Sequence, residues 1–125
     1  MIIAIKIITT LLISAYAPSL GNLNCDGDCS VMASGNVPYE GALACPIWMP
    51  LGTIIELSHS PIGPMVGVCE DRGGLITENK VDFCLTEGDV ATRAKTWGRR
   101  SVSAIVKYRD LLTPIDTSGW RHQPI

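Results

Sequence analysis

Two aspartates carry the chemistry that this sequence suggests most directly. Asp71 lies between Val68-Cys69-Glu70 and the turn Arg72-Gly73-Gly74, where a change of backbone direction can present its carboxylate. Asp82 follows eleven residues later in an alternating run from Lys80 to Leu85. The alternation places Lys80, Asp82 and Cys84 on one strand face and Val81, Phe83 and Leu85 on the other. A carboxylate between Val81 and Phe83 is solvated, paired, or desolvated with a raised pKa. In the last case it is an Asp that stays protonated near neutral pH and serves as a general acid. The plainer alternative is an ordinary hydrogen-bonding Asp that ties down a loop crossing. The Gly-rich turn between Asp71 and Asp82 can bring both to one rim.

The cysteines are the second chemical feature. Five in 125 residues exceed the usual content of a reduced cytosolic protein and point to an oxidising compartment. The odd count leaves at least one thiol outside intrachain pairs. Cys25 and Cys29 bracket the acidic loop Cys25-Asp26-Gly27-Asp28-Cys29, whereas Cys45, Cys69 and Cys84 each adjoin apolar residues. Spacing does not choose among the pairings. A C-x3-C pair without a second short pair, and with His59 and His122 distant in sequence, does not make a structural zinc site. The Asp26 and Asp28 loop is too short for an EF-hand, and no C-x-x-C redox pair occurs. No metal or cofactor is expected. P-loop, G-x-G-x-x-G, H-E-x-x-H and G-x-S-x-G motifs are absent.

The elements that must position these residues are short. The chain has the length of one domain. Apolar residues make up 46% and aromatic ones 6%, so the core is aliphatic, while twelve Gly and eight Pro favour short strands over long helices. The formal charge of −2 leaves no overall nucleic-acid footprint. The acid-free run of Arg93, Lys95, Arg99, Arg100, Lys107 and Arg109 reads as a solvated basic face. Residues 1–17 fit either a short signal peptide with an Ala15-Tyr16-Ala17 cleavage site or a buried strand through Lys6 to Tyr16. The apolar run is too short for a membrane span, so no stable insertion is expected.

Further strands are predicted at Ser30–Ala33, Gly41–Cys45, Thr53–Leu57, Met65–Glu70, Lys80–Leu85 and Ser101–Tyr108. The single helix is predicted over Thr86–Trp97, with Thr86 and Asp89 as a capping box, Ala91, Ala94 and Trp97 on one face, and Gly98 as its stop. Residues 111–125 read as an extended or disordered tail. Six or seven short strands and one small helix predict an all-β fold closed into a small barrel, because closure removes exposed sheet edges.

An ordered set of motifs spans Leu11 to Tyr108. It comprises Ala15-Tyr16, Ala33-Ser34-Gly35, Ala44-Cys45-Pro46, Pro50-Leu51-Gly52-Thr53, Glu70-Asp71-Arg72-Gly73-Gly74, Val81-Asp82-Phe83 and Trp97-Gly98-Arg99-Arg100. This set resembles the 3D (Asp-Asp-Asp) domain, which also forms the barrel of membrane-bound lytic transglycosylase A and occurs in cell-wall-acting proteins related to resuscitation-promoting factors. The resemblance implies a six-stranded double-psi β-barrel over residues 11–110 that acts on peptidoglycan glycan strands. By that resemblance Asp82 is the single acid/base. It would protonate the glycosidic oxygen and then take the C6 hydroxyl proton as a 1,6-anhydro ring closes. Asp71 would orient it or stabilise charge at the anomeric carbon. The family's first aspartate is matched here by Cys45, which lacks a carboxylate's charge and acceptor pair; Cys45 is expected to bond to Cys69 and brace the site. Tyr16 is a candidate for stacking on a sugar, Thr53 for hydrogen bonding near the aspartates, and Trp48 for lining a groove. Arg72 is expected to meet a peptide-stem carboxylate or to pair with Glu70. Each has a plain structural alternative, and Trp97 reads as core. The expected function is lytic transglycosylase-like cleavage; the alternative is a non-catalytic glycan-binding or structural barrel held by disulfides. Both fit a monomer, exported by a bacterium or encoded by a phage, in an extracellular or periplasmic setting.

Overall fold

The computed structural model describes residues 4–21 and 29–109. Six strands close into a barrel: β1 (Ala4–Tyr16), β2 (Leu43–Ala44), β3 (Ile54–Leu57), β4 (Met65–Asp71), β5 (Lys80–Cys84) and β6 (Arg100–Arg109). The order around the barrel is β1-β5-β2-β4-β3-β6, returning to β1. The β1/β5 and β2/β4 pairs are parallel, and the other four are antiparallel. This mixed, closed, all-β architecture with one helix is the predicted fold class. Its general form is consistent with a double-psi barrel.

Period-two alternation fills the interior. Val81 and Phe83 from β5 meet Leu11 and Ile13 from β1, Leu43 from β2, and Ile55 and Leu57 from β3, all fully buried. The N-terminal segment forms strand β1, which pairs with β6 over Ala4–Ile13 and with β5 over Leu12–Tyr16.

The helix, α1, spans Val90–Trp97 and is shorter than its sequence signal. Gly88, with φ of 69°, breaks the chain before it, and Asp89 caps it by accepting from the Thr92 N–H at 3.2 Å. Thr86 is not the cap. The N–H groups of Thr86 and Glu87 instead donate to Glu40, a residue that sequence reasoning left without a role. The buried face is Val90, Ala94 and Trp97, and Ala91 is exposed. Gly98, at φ of 66°, ends the helix as predicted.

The predicted strand at Ser30–Ala33 does not form. That segment is a looped arch, closed by a hydrogen bond from the Met32 N–H to the Asn36 carbonyl and clamped to the end of β4. Lys95, Arg99 and Arg100 of the basic run are exposed, and three of its six cations make contacts. Arg93 pairs with Glu40, Lys107 pairs with Glu56, and the Arg100 guanidinium lies 4.4 Å from the Trp97 ring centroid. Trp97 is core, and its indole N–H donates to the Ile13 carbonyl. The Cys25-to-Asp28 loop and the tail at 111–125, with Trp120 and His122, lie outside the described residues. Among the described residues no helix is long and apolar enough to cross a membrane.

Candidate functional site

The geometry around the aspartates begins with an irregularity in β4. Leu43 registers with Cys69, but the next residue of β2, Ala44, registers with Asp71. One residue of β4, Glu70, is therefore extra, which is a β-bulge. In regular alternation Asp71 would follow Cys69 into the barrel interior. The bulge turns both acids to the outer side, beneath the arch at residues 30–41.

Glu70 is fully buried there and accepts from Ser34 Oγ, Asn36 Nδ2 and Tyr39 Oη, so three side chains of the arch are strapped to one carboxylate. Asp71 is half-buried. Its Oδ2 accepts from Tyr16 Oη at 2.9 Å, and its Oδ1 accepts from the Ala33 and Arg72 N–H groups at 3.0 and 2.9 Å.

Asp82 lies in the same cross-strand row. Ala44 registers with Asp71 on one side and Asp82 on the other, and Asp82 registers with Ser14 on β1. Two inter-strand spacings separate the Asp71 and Asp82 backbones by roughly 10 Å. Phe83 is in the core, so Asp82 points outward, as the alternation predicted. Its burial pushes the carboxyl pKa up, against the opposing pull of Arg99, the Ser14 hydroxyl and Lys80.

A groove of about 440 Å³ opens at Asp71, lined by Val31, Met32, Ala33, Arg72, Gly73 and Gly74. Asp82 does not line this groove. It stands two strands away in the same row.

Cys45 and Cys69 form a disulfide in the core, as expected, with Cα atoms 5.7 Å apart. Position 45, set against an aspartate by the sequence resemblance, thus holds a sulfur turned inward. Cys29 is also disulfide-bonded, and Cys84 is free and buried. Burial pushes the Cys84 thiol up to about 12, so it is a protonated, inert packing group beside Tyr16.

The remaining candidates separate clearly. Tyr16 is buried with its hydroxyl committed to Asp71, so its ring offers no face to a sugar. Burial also raises its own pKa far above the phenol range. Thr53 is fully buried and donates to the Pro50 carbonyl, making it a turn residue rather than a ligand contact. Arg72 does not pair with Glu70; it donates to the Cys45 and Pro46 carbonyls at 3.1 and 2.7 Å and holds that loop against β4. Trp48 keeps an exposed indole, donates its N–H to the Glu78 carbonyl and does not line the groove.

Glu70 is the residue that sequence reading missed. Its signal was the pair of adjacent acids ending an apolar strand, which a regular strand could not accommodate on one side. Among the described residues no group of three His, Cys, Asp or Glu side chains could hold a metal ion.

No protein-family model matches the chain, and no curated protein or solved structure matches it.

Proposed function

We propose that this chain is a disulfide-braced barrel that binds peptidoglycan glycan strands without cutting them, using the groove at Asp71. The observation that carries the reading is the Asp71 carboxylate, fixed in the groove with three donors on its two oxygens. A carboxylate group offers about four acceptor sites, so one remains for a sugar hydroxyl. Three donors fix its orientation, which suits it to positioning a ligand. The Cys45–Cys69 bond supports the same reading, because it leaves two outer-face aspartates in place of the three expected of a 3D-like site.

The second reading, lytic transglycosylase-like cleavage, is favoured by Asp82, whose raised pKa suits a general acid. One experiment distinguishes the two. Purified peptidoglycan sacculi are incubated with the protein, pelleted to measure bound protein, and the supernatant is searched by mass spectrometry for 1,6-anhydromuropeptides. The binding reading expects co-sedimentation without anhydro products and weaker co-sedimentation for Asp71→Asn. Anhydro products that vanish in Asp82→Asn, with the melting curve retained, would transfer the conclusion to cleavage. Neither binding nor products would end both.

A further inference from the structure

Among the described residues, the part of β1 that extends beyond the closed barrel keeps one long strand edge unpaired. β1 has thirteen residues, and β6 covers it over Ala4–Ile13, but β5 covers it only from Leu12 onward. The Leu12 N–H donates to the Asn79 carbonyl on the β5 side. The β1/β6 ladder runs without a register shift from Ala4 to Ile13, so alternate residues repeat that direction. Lys6, Ile8 and Thr10 therefore point their N–H and C=O groups away from β6, towards a side where no described strand lies. The side chains of all three are exposed, and Ile8 is 79% exposed.

Proteins usually blunt such an edge with Pro, a bulge, a very short strand or several charges. The stretch from Ala4 to Leu11 has no Pro, no Gly and no bulge, and Lys6 is its single charge.

We propose that this edge pairs with the same edge of a second copy of the chain, antiparallel about a two-fold axis at Ile8. Centring on Ile8 pairs all three open residues, and charge permits it. Ile8 opposite Ile8 places Lys6 opposite Thr10 of the other copy, so the two lysines do not face each other, and the β-branched Ile8 side chains meet at the centre. The Lys6/Thr10, Ile8/Ile8 and Thr10/Lys6 pairs then exchange about six backbone hydrogen bonds. The two barrels become one continuous sheet through their β1 strands. This dimer replaces the monomer expected from sequence and is independent of any glycan site.

The test is sedimentation equilibrium of the full chain from low to several hundred micromolar, with amide hydrogen exchange at both ends of the range. A reversible monomer–dimer equilibrium is expected, with the Lys6, Ile8 and Thr10 amides gaining protection only at high concentration. Ile8→Pro removes the central edge N–H without touching the β6 ladder, and Ile8→Lys sets two charges face to face. Each should weaken dimerisation roughly tenfold or more while the far-UV spectrum stays the same. Thr10→Glu faces Lys6 of the other copy and should tighten it several-fold, an effect that salt removes. A monomer at every concentration overturns the proposal, whether the three amides exchange fast or are protected by the chain's own tail. A dimer indifferent to both Ile8 substitutions overturns it too.

Discussion

Removing the Cys45–Cys69 bond tests whether the barrel is braced where the groove is built. The bond closes a segment of 24 residues by sequence separation, from the end of β2 through β3 to the end of β4. The chain-entropy relation for a loop of that length gives about 3.5 kcal/mol at 25 °C. A domain of this size loses roughly 4 °C of melting temperature per kcal/mol, so the entropic share is a drop of about 14 °C. Cys45→Ala with Cys69→Ala also deletes two buried sulfurs, which adds a packing loss. Cys84→Ala measures that loss separately, because Cys84 is equally buried and carries no disulfide. The assay is thermal unfolding followed by circular dichroism on the double variant and on Cys84→Ala. Doubling the Cys84→Ala shift and subtracting it isolates the cross-link. A residual drop under about 3 °C would refute the entropy argument, meaning that the unbridged denatured chain already keeps the ends of this segment close together.

Other substitutions probe single contacts. Gly67→Ala would bring a Cβ within 2.7 Å of Leu43 Cδ1 and 2.8 Å of Met65 Cε; a loss of about 1–3 kcal/mol is expected, read as a lower urea midpoint with unchanged slope. Glu40 is buried, which acts to raise its pKa, but the Arg93 guanidinium and the Thr86 and Glu87 N–H groups outweigh burial and hold it below the ordinary value. Its stabilisation is therefore complete above the unfolded pKa and lost as pH falls through the folded one. Glu40→Gln should cost about 2 kcal/mol at neutral pH in a denaturant titration, with the gap to wild type closing below about pH 4. Asp82 has the opposite sign, because burial raises its folded pKa and the folded state holds the proton more tightly. Its ionisation opposes folding above the folded pKa and costs nothing below the unfolded one, so Asp82→Asn should melt higher than wild type at neutral pH and level with it below about pH 4. A lower melting temperature at neutral pH would show that the Ser14, Arg99 and Lys80 contacts dominate instead.

Much of the barrel was legible because strand periodicity is local. Lys80–Leu85 states its own two faces, and Phe83 and Asp82 lie where that alternation puts them. The start of α1 was less legible, since Thr86 and Asp89 both look like caps. Glu40, some fifty residues earlier in the chain, claims the Thr86 and Glu87 amides, and no local pattern encodes that. The segment Ser30–Ala33 has the composition of a strand, but the Asp71 carboxylate and the Glu70 carbonyl accept the N–H groups of Ala33 and Ser34 and bend it into an arch. Asp71 itself was found by its turn context. Its direction was not, because a bulge exists only relative to the partner strand, and Ala44 is 27 positions away in sequence.

The three residues Cys69, Glu70 and Asp71 divide the work of the site among adjacent positions. Cys69 anchors the core, Glu70 straps the arch that forms one wall, and Asp71 meets the groove between them. This division constrains what position 45 can be. The Cys45 side chain is 1% exposed and belongs to the apolar cluster with Leu43, Met49 and Cys69. An aspartate there would leave Cys69 unbonded and bury a carboxylate with apolar neighbours, at a cost of several kcal/mol unless it took up a proton. Within this packing, Cys45→Asp would not add an outer aspartate; it would unseat the strand end that aims Asp71. With position 45 committed to a core cross-link, the two outer-face aspartates, Asp71 and Asp82, stand about two strands apart in one row.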